Sequence, residues 1–457
     1  MGNLLGAPVT EKETHVGEIE DASGKMTYGV SSMQGWRVHM EDAHICEPNL
    51  YAILDEGGGD DTDTSATPPA TSSGEENGSK KKKQKKISKL NLPGHSLFAV
   101  FDGHGGTFAA IYSGKNLCRV LSCQPKFVEY AKWSTERMAN TSPPSNEQDK
   151  VQQSRKGLDL LESALRDCFV ECDKEIIMAI RGTPHPDANT PYHDEDTTST
   201  AAGTATTGEE TKSDAANSAE NDSNENKDEE DGATSIMDAV TQAAQEAAKD
   251  HVNALDDEGD SGTTACVVVI TPDWIVCANA GDSRSVCSKS GNKAVPLSYD
   301  HKPDDEEEER RIRAAGGYVA GGRVEGDLAV SRGLGDFRFK ALATVSAGAH
   351  GGGEGNANPS GDSQDENAGR VTMAPGDQKV SSIPDIVVQN RNAKKDEFII
   401  VACDGIWDVQ SNHDCVSTVA TMFQEGESNL GLICEEVSDY LGLRHVPILR
   451  GELLNTI

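Results

Sequence analysis

The sequence predicts an α+β domain built on antiparallel sheets. Three observations carry this expectation. Short apolar runs follow one another closely, as at residues 265–270 and 274–279 with the turn Thr271-Pro272-Asp273 between them, which is hairpin spacing. Apolar stripes at helical spacing are also present, the clearest being Leu158, Leu161, Leu165, Cys168, Phe169, Cys172, Ile176 and Ile177. Setting aside the polar inserts leaves roughly 300 residues, which suits one α+β domain.

In chain order, residues 24–54 mix aromatic, apolar and charged residues, and Leu97 to Phe101 reads as a short buried strand. A helix is expected from Thr107 to about Leu121, and the stripe above makes a longer one after a polar linker at 140–156. Ser285 to Cys287 and Ala294 to Leu297 continue the hairpin series. Residues 304–315 open on Asp and Glu and close on Arg and Ala, as the helix dipole favours, and Gly316-Gly317 stops them. Residues 386–390 and 398–402 read as two more strands. Cys415 to Phe423 and Leu430 to Tyr440 read as helices.

Composition narrows the function. The chain has 457 residues, 35% of them hydrophobic and 5% aromatic, with 76 acidic against 42 basic residues for a net charge of −34. Such a field repels phosphate backbones, so direct nucleic-acid binding is not expected. The charge is unevenly held: Asp187 to Asp260 contains 21 acidic residues and 3 lysines, and so carries −18 of the total. That segment has too little apolar surface to offset its ordering; it is either a solubilising spacer or a docking segment for basic partners such as histone tails. Gly57 to Lys86 is also polar and ends in Lys80-Lys81-Lys82-Lys83-Gln84-Lys85-Lys86, a solvated loop or a nuclear import signal. Gly348 to Asn367 is a Gly-rich insert.

The eleven cysteines form no CxxC pair and no zinc-finger spacing, so reduced thiols inside a cell are expected. Cys168 and Cys172 read as two small apolar groups on one helix face. No transmembrane stretch or secretory signal is expected. Met1-Gly2-Asn3-Leu4-Leu5-Gly6 offers Gly2 for myristoylation, although Gly6 stands where a small hydroxyl residue is usual; one such chain would give only reversible membrane contact. Cytoplasm and nucleus are both compatible with these features, and nothing points to an obligate oligomer.

Acidic residues recur at strand ends. Glu41-Asp42 follows Gly35 to Met40; Asp102-Gly103-His104-Gly105-Gly106 follows the strand ending at Phe101; Asp282 follows Asn279-Ala280-Gly281; Asp404-Gly405-Ile406-Trp407-Asp408 follows the strand ending near Ala402. A lone Asp-Gly is usually a turn. Four acid-bearing strand ends in one domain, if they converge, repel one another and need a cation. All-oxygen ligation favours Mg²⁺ or Mn²⁺ over zinc, and adjacent glycines let the backbone approach and offer carbonyls. Two such ions would activate a bridging water, Arg37 could receive a phosphate, and His104 could protonate a leaving oxygen. The residues therefore point to a metal-dependent hydrolase, with phosphate esters the preferred substrates.

The chain resembles the metal-dependent protein serine/threonine phosphatases of type 2C. The resemblance rests on Met33 to Arg37, Met40 to His44, Phe101 to Gly106, Ser261 to Ala265, Ala278 to Arg284, Asp300 to Pro303, Leu328 to Arg332, Leu334 to Asp336 and Ala402 to Val409. It implies a four-layer αββα sandwich of two antiparallel sheets flanked by helices. It also implies hydrolysis of phosphoserine and phosphothreonine in proteins by water activated at two Mg²⁺ or Mn²⁺ ions. By resemblance Asp102 would bridge both metals, Glu41 and the Gly103 carbonyl would complete the second, and Asp404 would bind the first. Asp42 would hold metal-bound water, Arg37 would bind the substrate phosphate and His104 would be the general acid. Asp282 and Asp408 match a weak third-metal site. Within the family, the acidic insert and basic run resemble the gamma isoform, a nuclear enzyme tied to splicing factors and histones.

The expected domain runs over 24–440, interrupted at about 57–92, 140–156, 187–260 and 348–370. Residues 441–457 depart from the family pattern: no Asp follows Asp439, so a further ligand of the first metal is expected to be absent, and with it a sheet strand. The alternative is therefore an impaired, phosphatase-like protein that binds phosphoproteins without turning them over.

Overall fold

The computed structural model describes residues 4–21, 24–55, 87–139, 147–183, 188, 190, 192, 260–340, 373–392, 394–441 and 446–451. In chain order the strands are β1 (Leu4–Asp21), β2 (Gly24–Arg37), β3 (Ala43–Glu47), β4 (Tyr51–Asp55), β5 (Ile87–Asn91), β6 (Ser96–Phe101), β7 (Gly103–His104), β8 (Gly262–Thr263), β9 (Ala265–Ile270), β10 (Trp274–Ala280), β11 (Arg284–Lys289), β12 (Lys293–Pro296), β13 (Val319–Ala320), β14 (Arg323–Val324), β15 (Leu334–Gly335), β16 (Asp385–Asn390), β17 (Asp396–Ala402) and β18 (Val446–Gly451). The helices are α1 (Phe108–Cys123), α2 (Pro125–Ala139), α3 (Glu147–Ile180), α4 (Glu306–Ala314), α5 (Asp404–Trp407), α6 (Asn412–Gln424) and α7 (Leu430–Leu441).

Two antiparallel sheets make the centre. One has the order β1-β2-β18-β17-β11-β12 and the other β16-β10-β9-β6-β3. Their facing sides share one apolar layer, in which Phe98, Val100, Cys266, Val268 and Cys277 meet Val30, Cys287, Ile399 and Val401. The outer face of the five-stranded sheet buries Leu97, Ala99, Val267 and Val269 against α1, α2 and α3. The outer face of the six-stranded sheet buries Phe398, Ile400 and Ala402 against α5, α6 and α7. In β17 alternate residues thus serve opposite layers, and helices cover the outside, so the strand reads as one continuous apolar run. The four-layer αββα expectation holds. Cys168 and Cys172 lie fully buried on the inward stripe of α3, as small apolar groups, and all eleven cysteines are free. Among the described residues no helix is long and apolar enough to cross a membrane.

Several expected boundaries are corrected. The domain does not begin at residue 24, because β1 pairs with β2 along nearly its whole length. Residues 147–156 are not linker but the first turns of α3, and α2 was not legible as a helix. β5 lies inside the expected 57–92 insert and pairs with β4. At the start of the acidic insert, the Tyr192 ring stacks on Tyr51 with centroids 4.4 Å apart. The largest correction concerns the tail. The expected loss of a strand does not occur: β18 lies between β2 and β17, pairing Ile448 with Gly29 on one side and Ile400 on the other. Pro447 pairs with Val30, but the ladder to β17 begins at Ile448, so the proline stands at the strand's entry, where its missing N–H is tolerated. The expectations for Gly2, for residues 80–86 and for 348–370 lie outside the described residues.

Within the segment from α4 to β15, one buried carboxylate ties the helix to the Ser331-Arg332 turn. Glu308 accepts from Arg311 at 2.7 Å, from Arg332 at 2.7 Å and from Ser331 Oγ at 2.5 Å. Burial alone would raise its pKa. The Arg332 hydrogen bonds and the Arg311 and Arg332 charges outweigh burial and hold it at about 2. A depressed carboxyl pKa stabilises the fold above the ordinary value of 4.5, and that stability is lost as the pH falls towards 2. Glu308→Gln should lower stability near neutral pH by on the order of 3 kcal/mol and flatten the acid limb of a denaturation-midpoint profile. An unchanged profile would contradict the assignment. Ending the chain after Leu441 removes a strand with partners on both sides. It should lower unfolding stability by more than about 4 kcal/mol, or abolish the cooperative transition, in a urea titration followed by circular dichroism.

Candidate active site

Strand register alone brings the acidic residues to one edge. Ala43 pairs with Phe101, Val100 with Cys266, and Ala265 with Ala280. The start of β3, the end of β6, the start of β9 and the end of β10 therefore share one end of the five-stranded sheet. Asp42, Asp102, Thr264 and Asp282 each stand one or two residues beyond it. The β10–β11 connection crosses to the other sheet at this end, where Arg284 pairs with Ala402, and Asp404 follows.

Direct contacts join these loops. The Gly103 N–H donates to Asp42 Oδ1 at 3.3 Å and the Gly106 N–H to Glu41 Oε1 at 2.9 Å. A Cβ on Gly103 would lie 2.0 Å from the Glu41 carbonyl oxygen, so only glycine fits there. Thr264 Oγ1 accepts from the Asp102 N–H at 3.1 Å and lies 2.7 Å from Ser283 Oγ, linking the Asp102 loop to the Asp282 loop. Lys302 Nζ donates to Asp282 Oδ2 at 2.5 Å. Arg284 grips Asp300 through two nitrogens, at 2.8 and 2.9 Å, and lies over the Trp407 ring.

The electrostatics show the crowding. Burial, then the charge of Asp404, raises the Asp282 pKa, and Lys302 only partly offsets this. Burial, then Asp404, likewise raises Asp408. His104 is pushed up: burial opposes its proton, but Asp336, with Asp282 and Glu41 beyond it, outweighs burial. Glu41, His104, Asp282, Asp404 and Asp408 thus form one chain of interacting groups with excess negative charge. Among the described residues no three His, Cys, Asp or Glu side chains close into a metal cage. The donor set is nonetheless wholly oxygen, and it fits a hard cation that keeps several waters and takes only one or two carboxylates. Arg37 ends β2 at the same edge. It is exposed and has no ion pair among the described residues, and the indole of Trp36 beside it is 50% exposed.

Three residues at this edge were given no role from sequence. Thr264 and Lys302 belong to motifs already singled out, but their contacts span 162 and 20 residues and cannot be read from spacing. Asp336 is the third: its Oδ1 lies 2.8 Å from His104 Nε2 across 232 residues.

Comparisons with known proteins identify the family of the chain. A sequence model of the family described as Protein phosphatase 2C matches residues 187–442. The chain belongs to that family. It is 29% identical over 441 residues to Protein phosphatase 2C homolog 2 of Hypocrea jecorina, covering 96% of this chain and 62% of that one. It is 38% identical over 182 residues to Protein phosphatase ppm-1.G of Caenorhabditis elegans, covering 40% of this chain and 30% of that one. The chain spans less than two thirds of the length of several of the fungal relatives it matches. A crystal structure of serine-threonine phosphatase 2C from Toxoplasma gondii shares the fold, with a TM-score of 0.50 at 16% identity over 96% of this chain and 98% of that one.

Proposed function

We propose that this chain is a protein serine/threonine phosphatase that hydrolyses phosphoserine and phosphothreonine with the help of bound Mg²⁺ or Mn²⁺. The observation that carries the reading is the convergence, by strand register, of Glu41-Asp42, Asp102-Gly103-His104, Asp282 and Asp404 at one edge of the sandwich. Carboxylates gathered this closely repel one another and are stable together only with a cation.

In this reading Asp102, Glu41 and the Gly103 carbonyl, with Asp404, would hold two ions, and Asp282 with Asp408 a weaker third. The bound ions would supply charge neutralisation for the phosphate and an acidified water as nucleophile. Asp42, held against the Gly103 N–H, is placed to accept a hydrogen bond from that water. Arg37, exposed and without an ion pair among the described residues, takes the phosphate oxygens with its planar fork. His104, whose pKa the Asp336 carboxylate raises against burial, gives its proton to the departing serine or threonine oxygen. Phosphoproteins are the substrate class, and the charge of −18 over residues 187–260 favours basic protein partners.

The test is phosphate release from a phosphothreonine peptide by the purified chain with Mn²⁺, with Mg²⁺ and with chelator. Release should require the metal, and Asp102→Asn should reduce kcat by at least ~10³-fold while the protein stays folded. Folded protein that binds the phosphopeptide but releases nothing would favour a non-catalytic phosphoprotein-binding role instead.

A further inference from the structure

Asp336 is buried, with 2% of its surface exposed, yet it is not tied down like the other buried acids. Glu308 is gripped by two arginines and a serine, and Asp173 takes the Gly335 N–H and the Lys340 ammonium, each at 2.8 Å. Among the described residues the Asp336 carboxylate has one hydrogen-bond partner, His104 Nε2, and its Oδ2 is buried without any. A carboxylate held dry for a single contact adds little to stability.

The surroundings are shaped to hold that contact. Asp336 sits at φ +54°, a left-handed conformation rare outside glycine. Its N–H donates to the Ser261 carbonyl at 3.1 Å, and its carbonyl accepts from the Phe339 N–H at 2.9 Å. A Cβ on Gly262 would lie 2.3 Å from the carboxylate, and one on Gly335 would lie 2.3 Å from the Ser261 oxygen. Lys340 ties Asp173 of α3 to the Gly333 carbonyl, so the turn carrying Asp336 is anchored to the longest helix. The imidazole can therefore rotate only by abandoning a rigidly placed acceptor.

We propose that Asp336 is the positioning residue for His104: its carboxylate accepts a hydrogen bond from the Nε2–H, which fixes the ring and leaves Nδ1 to serve the scissile ester. This rests on the reading of the chain as a phosphatase with His104 as its acid. As the phosphorus–oxygen bond breaks, its electron pair stays with the serine or threonine oxygen, which takes the Nδ1 proton. The attacking water gives its oxygen and one proton to the phosphate, and its second proton restores the imidazolium. Asp336 touches neither substrate nor phosphorus and keeps its charge throughout.

The experiment compares wild type, Asp336→Asn, His104→Gln and the double variant on two substrates, with Mn²⁺ present. A phosphothreonine peptide expels an alkoxide that needs a proton; p-nitrophenyl phosphate expels a phenolate that does not. Asp336→Asn should lower kcat on the peptide by ~10²-fold with little change in KM, and lower it on p-nitrophenyl phosphate far less. The double variant should be no worse than His104→Gln alone. Equal losses on both substrates for Asp336→Asn, or additive losses, with His104→Gln selective for the peptide, would overturn the positioning role and leave the phosphatase reading intact. Equal losses for His104→Gln itself would overturn the reading of His104, and the proposal with it. A readout independent of turnover and of any variant's folding is the ring tautomer of His104 by ¹⁵N NMR of the wild-type chain. The neutral ring should carry its proton on Nε2, and a proton on Nδ1 with Nε2 bare would overturn the proposal.

Discussion

Mutual repulsion among carboxylates gathered at one edge of the sandwich is the constraint on which the rest of this structure depends. Asp404 raises the pKa of both Asp282 and Asp408, and Lys302 relieves Asp282 only in part. An ordinary fold would disperse such groups into solvent. Here antiparallel register holds them together, because adjacent strands begin and end at the same edge, and the connections at Asp42, Asp102 and Asp282 carry acids there. The interior of the sandwich is therefore ordinary, with apolar residues alternating between layers, while the unusual chemistry is confined to one rim.

Holding that rim in shape takes close backbone approach and remote anchoring. Gly103 lies against the Glu41 carbonyl at a distance no side chain permits. Thr264 ties the loops after β6 and β10 together through its hydroxyl. α3 reaches the same region through Asp173, Lys340 and the turn carrying Asp336. The segment that closes the acidic insert, Ser261-Gly262, passes between this turn and the Gly105-Gly106 loop, with Ser261 Oγ donating to the Gly106 carbonyl. The insert thus re-enters the fold directly beside His104.

Much of this was legible in the sequence. Asp102, Asp282 and Asp404 were recognisable because each closely follows a short apolar strand and stands next to glycine, a local pattern. β6, β9 and β10 were readable because both their faces are buried, which makes continuous runs such as Cys266 to Ile270. What escaped was set by distant partners. β1 is rich in charged residues and forms only because β2 offers it an edge. β18 carries a proline and extends through six residues of a short tail, so nothing local distinguishes it from a loop. α2 and the first turns of α3 are too polar to show a strong stripe before their partners are known. The contact between Asp336 and His104 depends on a left-handed residue and a turn anchored by α3, neither of which leaves a mark at sequence level.

The central claim is that the gathered carboxylates are relieved by a bound cation. The most direct measurement is the thermal unfolding of the full chain with Mn²⁺ against chelator, repeated for Asp102→Asn and Asp404→Asn. A cation that binds the folded state raises the midpoint progressively with its concentration. The account predicts such a rise in the wild type, and a much smaller one in both variants because part of the donor set is gone. A wild-type midpoint indifferent to Mn²⁺, or a rise of equal size in both variants, would contradict it.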